Sequence, residues 1–183
     1  MSAADGSAKL DELQRRVERL ESIEAIKELQ VEYANACDDG LDADRIARLF
    51  AEDGVWEGGT PAVRFTGPAE VRDHFIEAKS RLRWSYHFMI GPRIEIDQTG
   101  TRALGLWYLL EPATFAEEAS LRSYWLASTY EMEYVRLQSG PWRIQRMSLK
   151  APVRGPSERW SDNASPLRNE LDGAERGSVP EPT

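Results

Sequence analysis

The chain has 183 residues, with 31 acidic and 23 basic side chains, and therefore a formal net charge of −8. With 41% hydrophobic residues and six Trp, it can form one domain with a sizeable core. The acidic balance argues against a nucleic-acid or anionic membrane partner, and the longest apolar run, residues 103–110, is far below the ~20 residues of a spanning helix. Cys37 is the only cysteine, which excludes an intrachain disulfide and predicts a reducing, cytoplasmic location.

The first part of the chain predicts a long helix. Residues 1–8 are small and polar and are expected to be disordered, so the folded domain is expected to cover residues 9–154. From Leu10 to Cys37, apolar residues recur at spacings of three and four, which predicts a helix of about 28 residues. Its early part follows a short heptad, typical either of a helix that packs on a partner subunit or of a frayed leader. Asp38-Asp39-Gly40 ends the helix, because Gly readily adopts the left-handed cap conformation.

Two shorter helices and a strand are expected next. Asp42 is placed to cap a helix over residues 43–51, and a short strand is expected around Trp56. The segment TGPAEVRDHFIEA predicts a third helix, with Pro68 at its start and the apolar pair Val71 and Phe75 four residues apart.

After residue 80 the apolar residues alternate, which predicts β-strands. Strands are expected over residues 84–90, 93–97, 101–115, 121–137 and 142–153, with Gly91-Pro92 ending or bending the first and Gly105 forming a bulge or kink in the third. Helices followed by hairpin-connected strands predict an α+β fold, with the helices on one face of a curved antiparallel sheet. Residues 155–183 are rich in Pro, Gly, Ser and charge, which predicts a mostly disordered tail; docking of Trp160 onto the body is the alternative.

Few side chains are available for proton transfer near neutral pH, because the chain has only two histidines. His74 lies among charged residues on a short predicted helix, where a partly exposed surface residue is the simplest interpretation. His87 lies in the middle of a predicted strand, where a polar residue is less expected. Tyr33 falls on the apolar stripe of the first helix. Asp38 lies at the end of that helix, where the helix dipole slightly disfavours a carboxylate, and this conflict indicates a functional role.

The opening of the chain carries a family resemblance. The stretch RLESIEAIKELQVEYANACDDGLDADRIARLFAEDGVWEG resembles the opening of SnoaL-like proteins, members of the nuclear-transport-factor-2-like superfamily. The similar features are an Ile-x-x-Leu helix, a Tyr followed five residues later by Asp, a short helix ending in Leu-Phe, and Asp-x-x-Trp. Within the family, IEAIKEL, a His in the first long strand and the ALGLWYLLE strand resemble the bile acid 7α-dehydratase type of steroid dehydratase.

The resemblance covers roughly residues 20–153 and carries expectations about the site. It implies a cone-shaped fold in which the curved sheet and the N-terminal helices enclose one deep, mainly apolar pocket. It also implies that Tyr33, Asp38 and His87 line this pocket and that Glu111 adds a further carboxylate. The dehydratases carry an Arg on the last strand, and the corresponding region here reads RMSLKAPVR. Lys150 is the expected substitute for that Arg, and Arg154 is the alternative.

These residue types suit the elimination of water without a metal or cofactor. His87 can remove a proton and return it to the leaving hydroxyl, Asp38 can fix the imidazole tautomer, and Tyr33 can donate a hydrogen bond to oxygen as charge develops there. We therefore expect a dehydratase that acts on a small, hydroxylated, carbonyl-activated apolar molecule, with a steroid as the expected class. An isomerase or cyclase that uses the same residues, and a non-catalytic ligand-binding module, are the alternatives.

Aromatic side chains are expected to contribute to the pocket wall. Trp107 is the first candidate because it shares strand parity with Glu111, and Trp56 and Tyr130 are further candidates for substrate contact. The scattered carboxylates and lone histidines do not form a recognisable metal-ligand set.

The alternation around His87 also predicts an oligomer. His87 shares its face with Ser85 and Met89, so a His87 that faces the pocket places the neighbouring aromatic residues on the other side of the sheet. These outward residues are Trp84, Tyr86 and Phe88. An apolar face of this kind predicts a covering copy of the chain, in a homodimer or homotrimer.

Overall fold

The computed structural model describes residues 3–59, 62–117, 120–137 and 140–156. The helices are α1 (Ala3–Asp38), α2 (Ala43–Arg48) and α3 (Gly67–Lys79), and the strands are β1 (Phe50–Glu57), β2 (Arg64–Thr66), β3 (Leu82–Ser85), β4 (Phe88–Ile96), β5 (Arg102–Glu117), β6 (Ser120–Val135) and β7 (Arg143–Pro156). This arrangement confirms the predicted α+β fold. The rest of the predicted tail, including Trp160, lies outside the described residues.

The strands form a curved, unclosed sheet in the order β2-β1-β7-β6-β5, with β3 and β4 both paired with β5. Neighbouring strands are antiparallel, except that β1 and β7 run parallel. Because β5 is 16 residues long, β4 pairs with its first part and β3 with its last part. Tyr86 and His87 lie between β3 and β4, opposite the middle of β5.

The inner face of this sheet packs against the helices and forms the core. Successive residues of a strand point to opposite faces, so β5, β6 and β7 direct alternate side chains inward. Ile26 of α1 and Ile144 of β7 are both fully buried. The buried Trp107 indole donates a hydrogen bond to the Tyr134 hydroxyl at 3.0 Å, which in turn donates to Gln30 of α1 at 3.1 Å. These bonds connect the sheet to the long helix through buried polar groups.

The helix α1 is longer than the apolar periodicity predicts. It has 36 residues and begins at Ala3, so residues 3–8 are helical where disorder was expected. Its end follows the prediction, because Gly40 has a φ of 78° and Leu41 also takes the left-handed conformation, with a φ of 53°. The Leu41 N–H donates to the Cys37 carbonyl at 2.9 Å, which satisfies one of the last helical carbonyls.

The shorter helices also begin as predicted. The Asp42 side chain caps α2 by accepting a hydrogen bond from the Arg45 N–H at 3.0 Å. This helix ends at Arg48, earlier than predicted, because Phe50 already belongs to β1. Pro68 lies in the first turn of α3, as expected of a residue with a fixed φ.

The strand predicted over residues 84–90 is interrupted at His87. The His87 N–H donates to the Asp38 carboxylate at 3.0 Å, so it is not available to a sheet neighbour. The register between β4 and β5 shifts between Ile90 and Arg93, which confirms the predicted bend at Gly91-Pro92. The first of these irregularities ties His87 to the last residue of α1.

The bulge predicted at Gly105 is wrong. Gly105 pairs regularly with Met132 of β6 and Ile94 of β4. A Cβ atom at this position would lie 2.8 Å from Cε2 of Tyr134. Gly105 therefore allows the Tyr134 ring to pack closely against β5.

The outer face of the sheet exposes large apolar side chains. Phe88 is 50% exposed, Ile90 51%, Tyr108 55% and Leu104 60%. Phe88 thus lies on the side opposite the core, as the alternation around His87 predicts. In the described part of the chain, no helix combines the length and the apolar character needed to cross a membrane.

Candidate active site

The centre of the candidate site is a histidine–carboxylate pair at the end of α1. Asp38 Oδ1 accepts hydrogen bonds from the His87 ring Nδ1 at 2.8 Å and from the His87 backbone N–H at 3.0 Å. The two side chains are only 7% and 8% exposed. Because a carboxylate can only accept, the proton of the neutral imidazole resides on Nδ1, and Nε2 carries the lone pair.

A second carboxylate faces the other ring nitrogen. The pairing of Phe88 with Leu110 places Glu111 beside His87, and Glu111 Oε2 lies 3.7 Å from His87 Nε2. Burial alone lowers the pKa of His87, but the negative charges of Glu111 and Asp38 outweigh it, and the pKa is raised above its ordinary value. Burial also raises the pKa of Glu111, an effect that His87 partly offsets.

Tyr33 packs its ring beside this pair. Its ring meets the His87 ring edge-on, with centroids 6.5 Å apart, and packs in the same way on Phe75 and Tyr130 at 6.3 Å. The Trp56 indole N–H donates to the Tyr33 hydroxyl at 3.2 Å. Burial, with smaller contributions from Cys37 and Tyr130, raises the pKa of Tyr33 well above its ordinary value. Tyr33 is therefore protonated near neutral pH and can donate a hydrogen bond.

The structure brings further polar residues to the site. The Cys37 thiol interacts with Tyr33, and burial raises the pKa of this thiol well above the ordinary value. The Tyr130 ring also contacts the Tyr33 ring, and burial raises the pKa of Tyr130 well above the ordinary value. Ser85 lies on the inner face, and its buried hydroxyl has no hydrogen-bond partner among the described residues. Cys37 follows Tyr33 by four residues, and this helical spacing is the signal that could have identified it.

Two predicted substrate contacts lie elsewhere. Trp107 is buried in the core and directs its indole to Tyr134, away from the His87 cluster. Lys150 lies on the outer face, where it forms an ion pair with Glu131 at 3.4 Å. Of the predicted substrate contacts, Trp56, Glu111 and Tyr130 are the ones that the structure brings together with the predicted catalytic residues.

Arg154 lies on the inner face instead. Leu126 pairs with Glu111 on one side and with Arg154 on the other, so the three residues share one cross-strand row. The Arg154 guanidinium lies 3.4 Å from the Tyr124 ring centroid and 3.3 Å from a Glu117 oxygen. Its positive charge also offsets a small part of the rise in the pKa of Glu111 that burial causes.

His74 supports the aromatic wall behind Tyr33. It is half-buried and stacks on Phe65 at 4.2 Å, with the Trp56 ring 4.6 Å away. Burial lowers its pKa below the ordinary value. His74 is thus a packing partner of the residue that bonds Tyr33.

The family is established by a profile match. The profile of the SnoaL-like domain family matches residues 18–148 of this chain, which is most of its length. The chain belongs to the SnoaL-like family. The match covers Tyr33, Asp38, His87 and Glu111.

Solved structures share the fold of this SnoaL-like chain. A protein assigned as a scytalone dehydratase from Novosphingobium aromaticivorans is 19% identical, with a TM-score of 0.68 over 78% of this chain and 92% of that one. The hexachlorocyclohexane dehydrochlorinase LinA-type3 from Novosphingobium barchaimii is 21% identical, with a TM-score of 0.69 over 79% and 95%. A protein assigned as an aromatic ring hydroxylase from Novosphingobium aromaticivorans is 22% identical, with a TM-score of 0.66 over 80% and 98%.

The candidate site of this SnoaL-like domain consists of acid–base side chains, with Asp38 and Glu111 on either side of His87. Within the described residues, no group of three or more His, Cys, Asp or Glu is arranged to hold a metal ion. Surface grooves lie elsewhere: one of about 380 Å³ lies on the outer face around Leu104, and one of about 440 Å³ runs along α1 around Arg19. The His87 cluster is a shielded polar site in an aromatic setting, distinct from these grooves.

Proposed function

We propose that this protein is a cofactor-independent dehydratase, a lyase that removes water from a hydroxylated, carbonyl-activated apolar substrate. One observation carries the proposal: His87 is fixed by Asp38 through Nδ1 and presents Nε2 towards Glu111, while the ring of the protonated Tyr33 packs edge-on against the imidazole. A base whose other nitrogen is held by a buried carboxylate has a defined tautomer and direction, as in hydrolase triads.

The proposed reaction balances with the residues of the chain. Nε2 of His87 takes a proton from a carbon activated by the carbonyl, and Tyr33 donates a hydrogen bond to the oxygen that gains charge. The electron pair then forms the new carbon–carbon double bond as the hydroxyl leaves. The imidazolium returns its proton to that hydroxyl, and water is released. Asp38 stabilises the transient imidazolium and ends the cycle unchanged.

We propose a hydroxylated steroid as the substrate class, as for steroid dehydratases of the bile acid 7α-dehydratase type. Aromatic side chains surround the acid–base residues, since Phe75 and Tyr130 pack on Tyr33. A flat apolar skeleton fits this setting better than a highly charged one. Glu111 and the hydroxyl of Ser85 supply polar contacts for substrate oxygens. We assign the role expected of Lys150 to Arg154, because it shares the inner face with Glu111.

The named structural neighbours support an elimination reaction. A dehydratase removes water and a dehydrochlorinase removes hydrogen chloride, so both names denote an elimination. A shared fold does not fix a reaction, so the proposal depends on the His87 geometry.

An absorbance assay tests this function. Purified protein is mixed with 3-oxo-4-ene steroids that carry 7α-, 7β- or 12-hydroxyl groups, and dehydration that extends conjugation shifts the absorption maximum to longer wavelength. His87→Ala should abolish the shift, and Tyr33→Phe should reduce the rate at which the shifted absorbance appears about a hundredfold. His74→Gln is the matched control, since it alters the other histidine. Dehydration that survives in His87→Ala would contradict the assignment.

An isomerase is the second candidate function. The pair His87 and Glu111, 3.7 Å apart, offers two proton carriers, which can move a proton between two carbons without loss of water. Product mass separates the two functions, because dehydration removes one water and isomerisation leaves the mass unchanged.

We also propose a cytoplasmic homo-oligomer, a dimer or trimer in which a second copy covers the outer face of the sheet. The exposure of Phe88, Ile90, Leu104 and Tyr108 supports a covering surface there. Light scattering tests the assembly, and a mass near the 20.7 kDa monomer at all concentrations would contradict it.

A further inference from the structure

The first half of α1 exposes a row of aliphatic side chains. Leu10 is 64% exposed, Leu13 46%, Val17 51% and Leu20 66%. The spacing of three, four and three residues makes them successive a and d positions of two heptads. Exposed aliphatic residues in this pattern form a continuous seam, which we call the α1 seam.

The α1 seam does not face the protein's own sheet. Arg19 donates a hydrogen bond to the Ile96 carbonyl at 3.2 Å, and Ser22 is 3% exposed, so these residues mark the side of α1 that packs on the domain. At 3.6 residues per turn, Leu13 and Val17 point nearly opposite to Ser22. A helix with buried residues on one side and aliphatic residues on the other has room for a second partner.

The charges beside the seam select a copy of the same helix in parallel orientation. Arg16 occupies a g position and Glu21 the following e position, so in a parallel pair each Arg16 faces Glu21 of the other copy. The other such contact pairs Lys9 with the neutral Gln14. An antiparallel pair that overlaps the whole seam would instead bring each Arg16 against Arg16 of the other copy. Neither Arg16 nor Glu21 forms an ion pair within the described part of the chain.

The seam has a defined end. The next a and d positions are Glu24 and Lys27, which form an ion pair within the helix at 3.0 Å. In a parallel pair, each would face its own equivalent at the seam, where like charges repel. In such a pair the two helices would pack through Leu20 and diverge beyond it, which would leave space for the two domains on opposite sides of the pair.

We propose that residues 10–21 of α1 pack against the same segment of a second copy as a parallel, two-stranded coiled coil. This contact is separate from the outer face of the sheet and does not depend on the reaction proposed above. Two heptads form a short seam, so we expect association that depends on concentration over the micromolar range.

Charge reversal in the full chain tests this contact. The dissociation constant of the dimer is measured by sedimentation equilibrium for wild type, Arg16→Glu, Glu21→Arg and the double variant. Each single reversal places like charges together twice per dimer and should weaken the dimer roughly tenfold. The double variant restores opposite charges and should recover most of the affinity. These side chains are exposed, so the variants are expected to fold.

A second pair of variants tests the seam itself. Leu13→Asp/Leu20→Asp should abolish the association that occurs through α1, whereas Ile76→Asp, at a 47% exposed apolar position on α3, should not change it. Under oxidising conditions, Leu13→Cys should cross-link two copies, because equivalent d positions face each other only in a parallel, in-register pair. The proposal is overturned if neither the charge reversals nor Leu13→Asp/Leu20→Asp changes the mass distribution.

Discussion

Two opposing effects act on the imidazole of His87. Burial favours the neutral ring, while the carboxylates of Asp38 and Glu111 favour the charged ring, and the carboxylates win because they lie on both sides of it. The ring is therefore held in a shielded site that nevertheless accepts a proton easily. A base with this property can take a proton from carbon and keep it long enough to return it.

Removal of the Asp38 charge should reverse this balance. In Asp38→Asn, burial is opposed by Glu111 alone, so the pKa of His87 should fall, and the loss of a fixed tautomer should lower kcat at least about a hundredfold. Nuclear magnetic resonance titration of the His87 ring measures the pKa. Asp39→Asn is the matched control, since Asp39 pairs with Arg45 on the surface. An unchanged His87 pKa in Asp38→Asn would show that the carboxylate does not hold the ring.

The second carboxylate leads to a prediction about the pH profile. His87 acts as a base in its neutral form, so kcat/KM should rise with pH through an ionisation above the ordinary histidine value of ~6.5. Glu111→Gln removes the largest influence that raises the pKa, and the rising limb should move to lower pH. The pH dependence of kcat/KM on a steroid substrate measures the shift. If the rising limb of the Glu111→Gln profile stays at the wild-type pH, the ionisation belongs to a group other than His87.

At the scale of the element, the turn after α1 determines where Asp38 lies. Gly40 has a φ of 78°, a conformation that residues with a side chain rarely adopt. A Cβ atom at this position would have no neighbour within 4 Å, so a substitution would strain the backbone without a steric clash. Gly40→Ala should lower the free energy of unfolding by about 1 kcal/mol, as measured by urea denaturation. Gly100→Ala, at a φ of 69° in a distant turn, should cost a similar amount. If the turn positions Asp38, only Gly40→Ala should also lower the His87 pKa.

The elements that the sequence predicts well are those with local causes. The Asp42 cap, the Gly40 stop and Pro68 at the start of α3 depend on residues within one turn of each other. The break at His87 was missed because its cause, the Asp38 carboxylate, lies 49 residues away along the chain. The role of Gly105 was missed because close packing on Tyr134 is a tertiary contact.

The same distinction applies to the candidate site. Tyr33, Asp38 and His87 were predicted and meet in the structure. Lys150 and Arg154 are four residues apart, so strict alternation would place them on one face of the sheet. The register between β6 and β7 shifts between Thr129 and Ala127, and this irregularity puts Lys150 outward and Arg154 inward. The alternation of apolar and polar residues in the sequence does not reveal such a register shift.

At the scale of the whole molecule, the charged core links folding to pH. The pKa of His87 is higher in the folded state than in the unfolded chain, where it is ~6.5. The folded state therefore binds the proton more tightly, and the resulting stability is fully present below pH ~6.5 and is lost as the pH rises through the folded pKa. Glu111, whose pKa is also raised, contributes in the same direction at lower pH.

This linkage predicts a measurable slope. The free energy of unfolding of the wild type, from urea denaturation at a series of pH values, should decrease as the pH rises above ~6.5. In His87→Gln this decrease should be smaller, because the group responsible is absent, whatever the overall stability of the variant. His74→Gln serves as the control: burial lowers the pKa of His74, so its loss should change the slope in the opposite sense. Equal slopes in wild type and His87→Gln would mean that the paired carboxylates do not raise the affinity of His87 for its proton in the folded protein.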